Sequence, residues 1–183
     1  MASPVQFLSF QQFQQTFGYE KPCYEYWFGE AIQKSMPTSL HGSTQILLGM
    51  LLFSRGWKAA SEVRLRLSPY ANPVPDLVAD PKPIESPFPT KPFALCIEIL
   101  APSDDLRRLF QKCAHYLDWG IQTVWIIDPD QRKAYCMRHA NPEPAQLFLS
   151  DSLTAESGLV LPLREIFEQL DRLSGKSRLP RTS

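Results

Sequence analysis

The chain has 183 residues, 44% of them apolar and 21% charged, and lysine plus arginine equal aspartate plus glutamate at 19 each. That is one domain's length, able to bury roughly 70 % of its unfolded surface, and the composition is globular. Zero net charge excludes a protein that binds nucleic acid by bulk charge, though not one with a local basic patch.

No apolar stretch approaches the roughly 18 residues of a membrane helix; the longest, Ile46 to Phe53, is interrupted by Gly49. The first charge is Glu20, so the N-terminus lacks the pattern of a signal peptide, and a cytoplasmic location is the expectation. Cys23, Cys96, Cys113 and Cys136 contain no C-x-x-C pair, which argues against a zinc site or a disulfide framework. Cys96 and Cys113 read as small core residues.

In chain order, Phe10, Phe13 and Phe17 fall at helical spacing behind a Ser9/Gln12 capping box. Cys23 to Met36 predicts two strands around a turn at Phe28-Gly29. Leu40, Ile46, Leu47, Met50, Leu51 and Phe53 outline a helix ending near Gly56. Val63 to Leu67 alternates apolar residues with Arg64 and Arg66, which predicts a strand with one wet face. A short strand, Val74 to Ala79, is entered through Pro75. Five prolines between Pro81 and Pro92 make that stretch an irregular connector.

Phe93 to Leu100 is almost wholly apolar, as a strand covered on both faces should be. Ser103 is the expected cap of a helix whose buried stripe is Leu106, Leu109, Phe110, Cys113, Tyr116 and Leu117 and which ends at Gly120. Val124 to Ile127 completes a βαβ unit with parallel strands and a right-handed crossover. Strands follow at Lys133 to Arg138 and Leu147 to Leu149. Pro162 opens a last helix, and the basic tail over 175–183 is expected to fray. The class is α/β with a mixed sheet, in one domain over 1–183 whose core occupies about 37–138.

Glu98 is the most informative residue, because it lies inside an apolar strand where an unpaired carboxylate would cost several kcal/mol or stay protonated. It requires an arginine, a lysine or a metal ion. Asp76 poses the same problem after Pro75. On adjacent strands the two carboxylates would stand about 5 Å apart, and two charges at about 4 Å repel by roughly 4 kcal/mol at an effective dielectric of 20. A divalent cation removes that penalty, and Mg²⁺ favours one or two carboxylates with water completing its shell. Lys112 lies on the edge of the apolar helix stripe, about 12 Å from the expected helix start, and leans back toward the level of Glu98.

Taken in order, Pro75-Asp76, Glu98 in an apolar strand and Lys112 on the next helix resemble the PD-(D/E)XK nuclease superfamily, and within it the Uma-type restriction endonuclease family. The matching stretches are Tyr24-Glu25, Gly29-Glu30, His41, Pro75-Asp76, Glu98 to Asp104, Lys112 with Tyr116, and Gly120 to Pro129, spanning some two thirds of the chain. The resemblance implies a restriction-endonuclease-like core (αβββαβ) and Mg²⁺- or Mn²⁺-dependent hydrolysis of DNA phosphodiesters. Asp76 and Glu98 would hold the metal, Lys112 would orient the attacking water or stabilise charge on phosphorus, and Glu30 and His41 are auxiliary candidates. Two positions depart from the pattern. The superfamily's usual lysine position is Leu100, and many Uma-type relatives carry an aspartate where this chain has Arg108, with Asp104 nearby.

Plainer readings stand beside these. Asp76 alone is a turn-forming carboxylate, Glu98 with Lys112 a structural ion pair, Glu30 a solvated strand residue and His41 a helix-start residue. Arg64 and Arg66 read as ordinary exposed arginines, and Tyr24, Tyr26, Trp27 and Trp125 as core or dimer interface. The alternative to a DNA-cleaving homodimer is a degenerate relative acting as a dimeric binding or regulatory module.

Overall fold

The computed structural model describes residues 7–20, 23–156 and 158–173; the expected frayed tail lies outside them. Helix α1 (Phe10–Phe17) opens with the reciprocal Ser9/Gln12 capping box. The strands β1 (Tyr24–Trp27) and β2 (Glu30–Gln33) form a hairpin. Its two turn residues, Phe28 and Gly29, both have positive φ, 50° and 97°, the backbone of a type I′ turn. Helix α2 (Ser39–Ser54) follows, capped by the Thr38 side chain.

Strand β3 (Lys58–Ser61) precedes the segment expected to be a strand. Over Val63 to Leu67 the alternation survives as burial, with Leu65 inside and Arg66 outside, but no regular strand forms. Glu62 turns the chain at φ 55°. The facing segment then contains Pro73 and Pro75, which have no N–H to return to a ladder, so only isolated bonds such as Leu65 N–H to the Pro73 carbonyl remain. Strand β4 (Ala71–Asn72) joins the hairpin in a small sheet ordered β2-β1-β4.

Strand β5 (Leu77–Asp80) runs antiparallel to β6 (Leu95–Ile99), which is buried throughout. Helix α3 (Leu106–Asp118) is capped by Asp105, two residues later than the expected Ser103, and Asp105 accepts from the N–H groups of Arg107 and Arg108. Asp104 instead closes the preceding turn by accepting from the Ala101 N–H. Gly120 ends the helix at φ 109°, where a Cβ would meet Pro92 at 2.9 Å.

Strand β7 (Thr123–Asp128) lies parallel to β6, so the expected βαβ unit is present. Strands β8 (Lys133–Arg138) and β9 (Asn141–Leu147) complete a six-stranded sheet ordered β3-β5-β6-β7-β8-β9. Strand β9 ends where a strand was expected to begin. Its polar residues, Pro142 and Pro144 disguise it, and an edge position tolerates them. The short hairpin of β10 (Ser152–Thr154) and β11 (Val160–Pro162) was not foreseen, and α4 (Leu163–Leu173) starts after Pro162.

Strand alternation divides the interior in two. Leu77, Ala79, Leu95, Ile97, Ile99, Trp125 and Ile127 face α2 and α4, whereas Val78, Cys96, Val124 and Ile126 face Cys113, Tyr116 and Leu117 of α3. Helix α2 buries Thr44, Leu47, Leu48, Leu51 and Leu52 and leaves Ile46, Met50 and Phe53 exposed, so the sequence outlined the helix but mixed its two faces. No helix among the described residues is long and apolar enough to cross a membrane.

Candidate active site

Asp76 immediately precedes β5. The register Leu77↔Ile97 continues one step to place it opposite Glu98, so the two carboxylates occupy the same end of the sheet. They are 2% and 3% exposed and line a cleft of about 410 Å³ between the small sheet, β6 and α3. Parity puts Glu98 on the Cys96 side of its strand, toward α3.

Helix α3 supplies the cation. Lys112 lies six residues from the first residue of α3, about 9 Å along the axis at 1.5 Å per residue. Its Nζ stands 2.9 Å from Glu98 Oε1 and 2.7 Å from Glu25 Oε1. Tyr116, one turn further, donates its hydroxyl to Glu98 Oε1 at 2.6 Å. Glu25 is fixed in turn by the Trp27 indole N–H at 2.9 Å and the Val74 N–H at 2.9 Å. Glu98 Oε2 accepts no hydrogen bond from the described residues.

Asp76 has a separate set of partners. Lys34, just beyond β2, reaches its Oδ1 at 2.7 Å, and is also held by Glu62 at 3.1 Å and the Val74 carbonyl at 2.9 Å. The Ile99 N–H and His41 Nε2 approach its Oδ2 at 2.7 and 3.2 Å. Buried within α2, His41 has an Nδ1 with no hydrogen-bond partner among the described residues.

The electrostatics of the two carboxyls diverge. Burial pushes Asp76 up, but the His41 hydrogen bond and the Lys34 charge outweigh it and hold the group well below the usual carboxylate range. Burial raises Glu98 to about 7, opposed by Lys112 and reinforced by the negative charge of Asp76. Burial disfavours the charged forms of Lys34 and Lys112, yet the surrounding carboxylates keep both ammonium groups protonated beyond the ordinary lysine value. His41 is likewise raised, burial being overcome by its bond to Asp76.

The fold thus brings together Asp76, Glu98, Lys112 and His41. It leaves Glu30 out: that side chain is solvated at the turn end of β2 and does not line the cleft, where Glu25 is the buried third carboxylate. Arg64 donates to the Tyr24 and Asn72 carbonyls and so ties β1 to β4, while Arg66 lies over the Phe88 ring. Tyr26, Trp27 and Trp125 are buried. In the sequence pattern Glu25 appears only within the Tyr24-Glu25 stretch, with no role of its own, and Lys34 does not appear. A charge within Tyr-Glu-Tyr-Trp is the same signal that singled out Glu98; Lys34, among Gln33 and Ser35, carries no comparable signal.

Among the described residues, no group of three or more His, Cys, Asp or Glu side chains is arranged to hold a metal ion. The donor set nonetheless suits a hard divalent cation bound through two carboxylates and water. With all four ionised, Glu25, Glu62, Asp76 and Glu98 outnumber Lys34 and Lys112 by two charges when His41 is neutral, and Glu98 Oε2 accepts no hydrogen bond from the described residues.

The family model described as Uma2, putative restriction endonuclease, matches residues 9–171. The chain belongs to this family. Within the Uma2 frame, the matched span contains every residue of the ion-pair network. A crystal structure of a protein from Anabaena variabilis, described as a putative nuclease belonging to DUF820, superposes with a TM-score of 0.75 at 23% identity, covering 89% of this chain and 99% of that one. At that identity the likeness establishes the shared α/β fold. No curated protein matches the chain.

Proposed function

We propose that this Uma2 chain is a divalent-metal-dependent endonuclease that hydrolyses DNA phosphodiesters. The observation that carries the reading is the placement of Asp76 and Glu98 side by side at the floor of a cleft, with Lys112 on Glu98. Asp76 and Glu98 would hold Mg²⁺ or Mn²⁺, which supplies charge neutralisation at the phosphate and a nucleophilic water at neutral pH. The chain's own groups do the rest. Lys112, anchored by Glu25, keeps an ammonium beside the reacting phosphate, where a fixed cation stabilises charge developing on phosphoryl oxygens. Tyr116 and the Trp27–Glu25 bond hold that ammonium and Glu98 in register. With Leu100 in the usual lysine position, Lys112 would take over that lysine's role from the helix, its Nζ 2.9 Å from Glu98.

The test is cleavage of plasmid and of single-stranded oligonucleotides in Mg²⁺ or Mn²⁺. Asp76→Ala and Lys112→Met are expected to lose about 100-fold or more in rate while circular dichroism shows the fold retained. Absence of cleavage by wild type on every substrate in either metal contradicts the reading. One observation favours a second reading: each carboxylate already has a lysine, the arrangement of a structural network in a non-catalytic dimeric module. That module would bind no Mn²⁺, and its copies would associate in light scattering.

A further inference from the structure

The tip of the β1–β2 hairpin is built against local preference. A type I′ turn favours Asn, Asp or Gly at its first central position, and this chain places Phe28 there, at φ 50°. The ring is not spent on the core, since it is 56% exposed at the mouth of the cleft. The turn is also held still. The Phe28 N–H donates to the Tyr70 carbonyl at 2.6 Å, the Gly29 carbonyl accepts from the Leu8 N–H at 2.8 Å, and Phe7 packs where a Cβ on residue 29 would stand.

Phe28 does not stand alone. Its ring centroid is 5.6 Å from that of His115 on α3 and 6.2 Å from that of Trp27, and Trp27 and His115 are 5.3 Å apart. The same Trp27 donates to Glu25, which holds Lys112, so the aromatic group is coupled to the candidate active site through one residue. Along α3, Arg108, Lys112 and His115 are spaced by four and three residues and form one stripe lining the cleft. Arg108 is exposed and makes no ion pair among the described residues. It stands one turn, about 6 Å, from Lys112 on the side away from the aromatic cluster.

A strained, exposed ring in a braced turn beside a cleft is the arrangement expected of a binding surface. The bases of a duplex have their faces covered by their neighbours, whereas an unpaired base offers a free face to an aromatic platform. From these contacts we infer that Phe28 and His115 form a stacking platform for an unpaired nucleobase next to the scissile phosphate, and that Arg108 takes a phosphate on the other side of Lys112. The preferred substrate is therefore single-stranded or locally opened DNA, bound along α3. The inference rests on the nuclease reading for its substrate class.

The test measures binding in EDTA, where cleavage does not intervene, by anisotropy of labelled probes. These are a dT12 strand, a fully abasic strand of the same length, and a blunt duplex. Wild type is expected to bind dT12 about 10-fold or more tighter than the abasic strand, in line with stacking energies measured per base, and tighter than the duplex. Phe28→Asn relieves the turn, so it should keep or raise the melting temperature while losing the distinction between dT12 and the abasic strand; Phe28→Tyr should keep it. Arg108→Ala should lower affinity for both strands and flatten the salt dependence. Equal binding of dT12 and the abasic strand by wild type, preference for the duplex, no binding of any probe, or a Phe28→Asn variant that discriminates like wild type would each overturn the platform. The two readings fail separately. Phe28-dependent binding without cleavage in Mg²⁺ removes the nuclease and keeps the platform; cleavage with Phe28→Asn indistinguishable from wild type does the reverse.

Discussion

Asp76 and Glu98 are neighbours with nearly equal burial, yet the protein treats them in opposite ways. Asp76 collects Lys34, His41 and the Ile99 N–H, and its ionised form is favoured so strongly that burial is overcome. Glu98 shares its one lysine with Glu25, faces the charge of Asp76 and rises to about 7. The difference shows that burial alone does not set a carboxyl group's charge; the number of donors and cations within reach does. It also divides the labour of the site. Asp76 is a finished anion, and Glu98 is short of positive charge in a way that an incoming cation would correct.

The largest expected effect separates the two lysines. Lys112→Met leaves Glu25 and Glu98 buried without a cation and should cost about 3–5 kcal/mol in urea denaturation. Lys34→Met should cost less, because Asp76 keeps His41 and the Ile99 N–H. Equal losses would mean that the two halves of the network are not distinct.

The pH dependence sharpens the same contrast. The folded pKa of Asp76 is depressed, so its contribution to stability is present above the ordinary value of 3.8 and is lost as pH falls below it. The folded pKa of Glu98 is raised, so the folded chain keeps a proton that the unfolded chain gives up. Stability should therefore decline as pH rises from 4.5 to about 7. Asp76→Asn should remove the acid-side loss, and Glu98→Gln the decline toward neutrality, both read from denaturation curves at stepped pH.

The smallest expected effect is on Glu98 itself. Glu98→Gln at pH 4.5 should change stability by less than about 1 kcal/mol, since the folded chain there already holds this carboxyl in its neutral form and Lys112 keeps Glu25.

Much of this arrangement was readable before the structure, because local pattern and burial agreed. One glutamate inside Phe93 to Leu100 implied a buried partner, and the stripe of α3 placed Lys112 at the right height even with the cap assigned to Ser103 instead of Asp105. What escaped reading depends on contacts distant in sequence. Lys34 meets Asp76 across 42 positions because the small sheet β2-β1-β4 is folded over the end of the large one, and nothing around Lys34 records that docking. Strand β3 was displaced for a related reason. The alternation at Val63 to Leu67 is real as burial, but prolines in the facing segment deny it a ladder. The exposed Ile46, Met50 and Phe53 show how an apolar helix hides which face is inward.

The most direct measurement of the central claim is a calorimetric titration of Mn²⁺ into the purified protein at pH 7, repeated with Asp76→Ala and Glu98→Ala. The account predicts binding by wild type that both substitutions abolish while the fold persists. No heat of binding at millimolar Mn²⁺, or binding that survives both substitutions, would contradict it and leave the two carboxylates as parts of a structural ion-pair network.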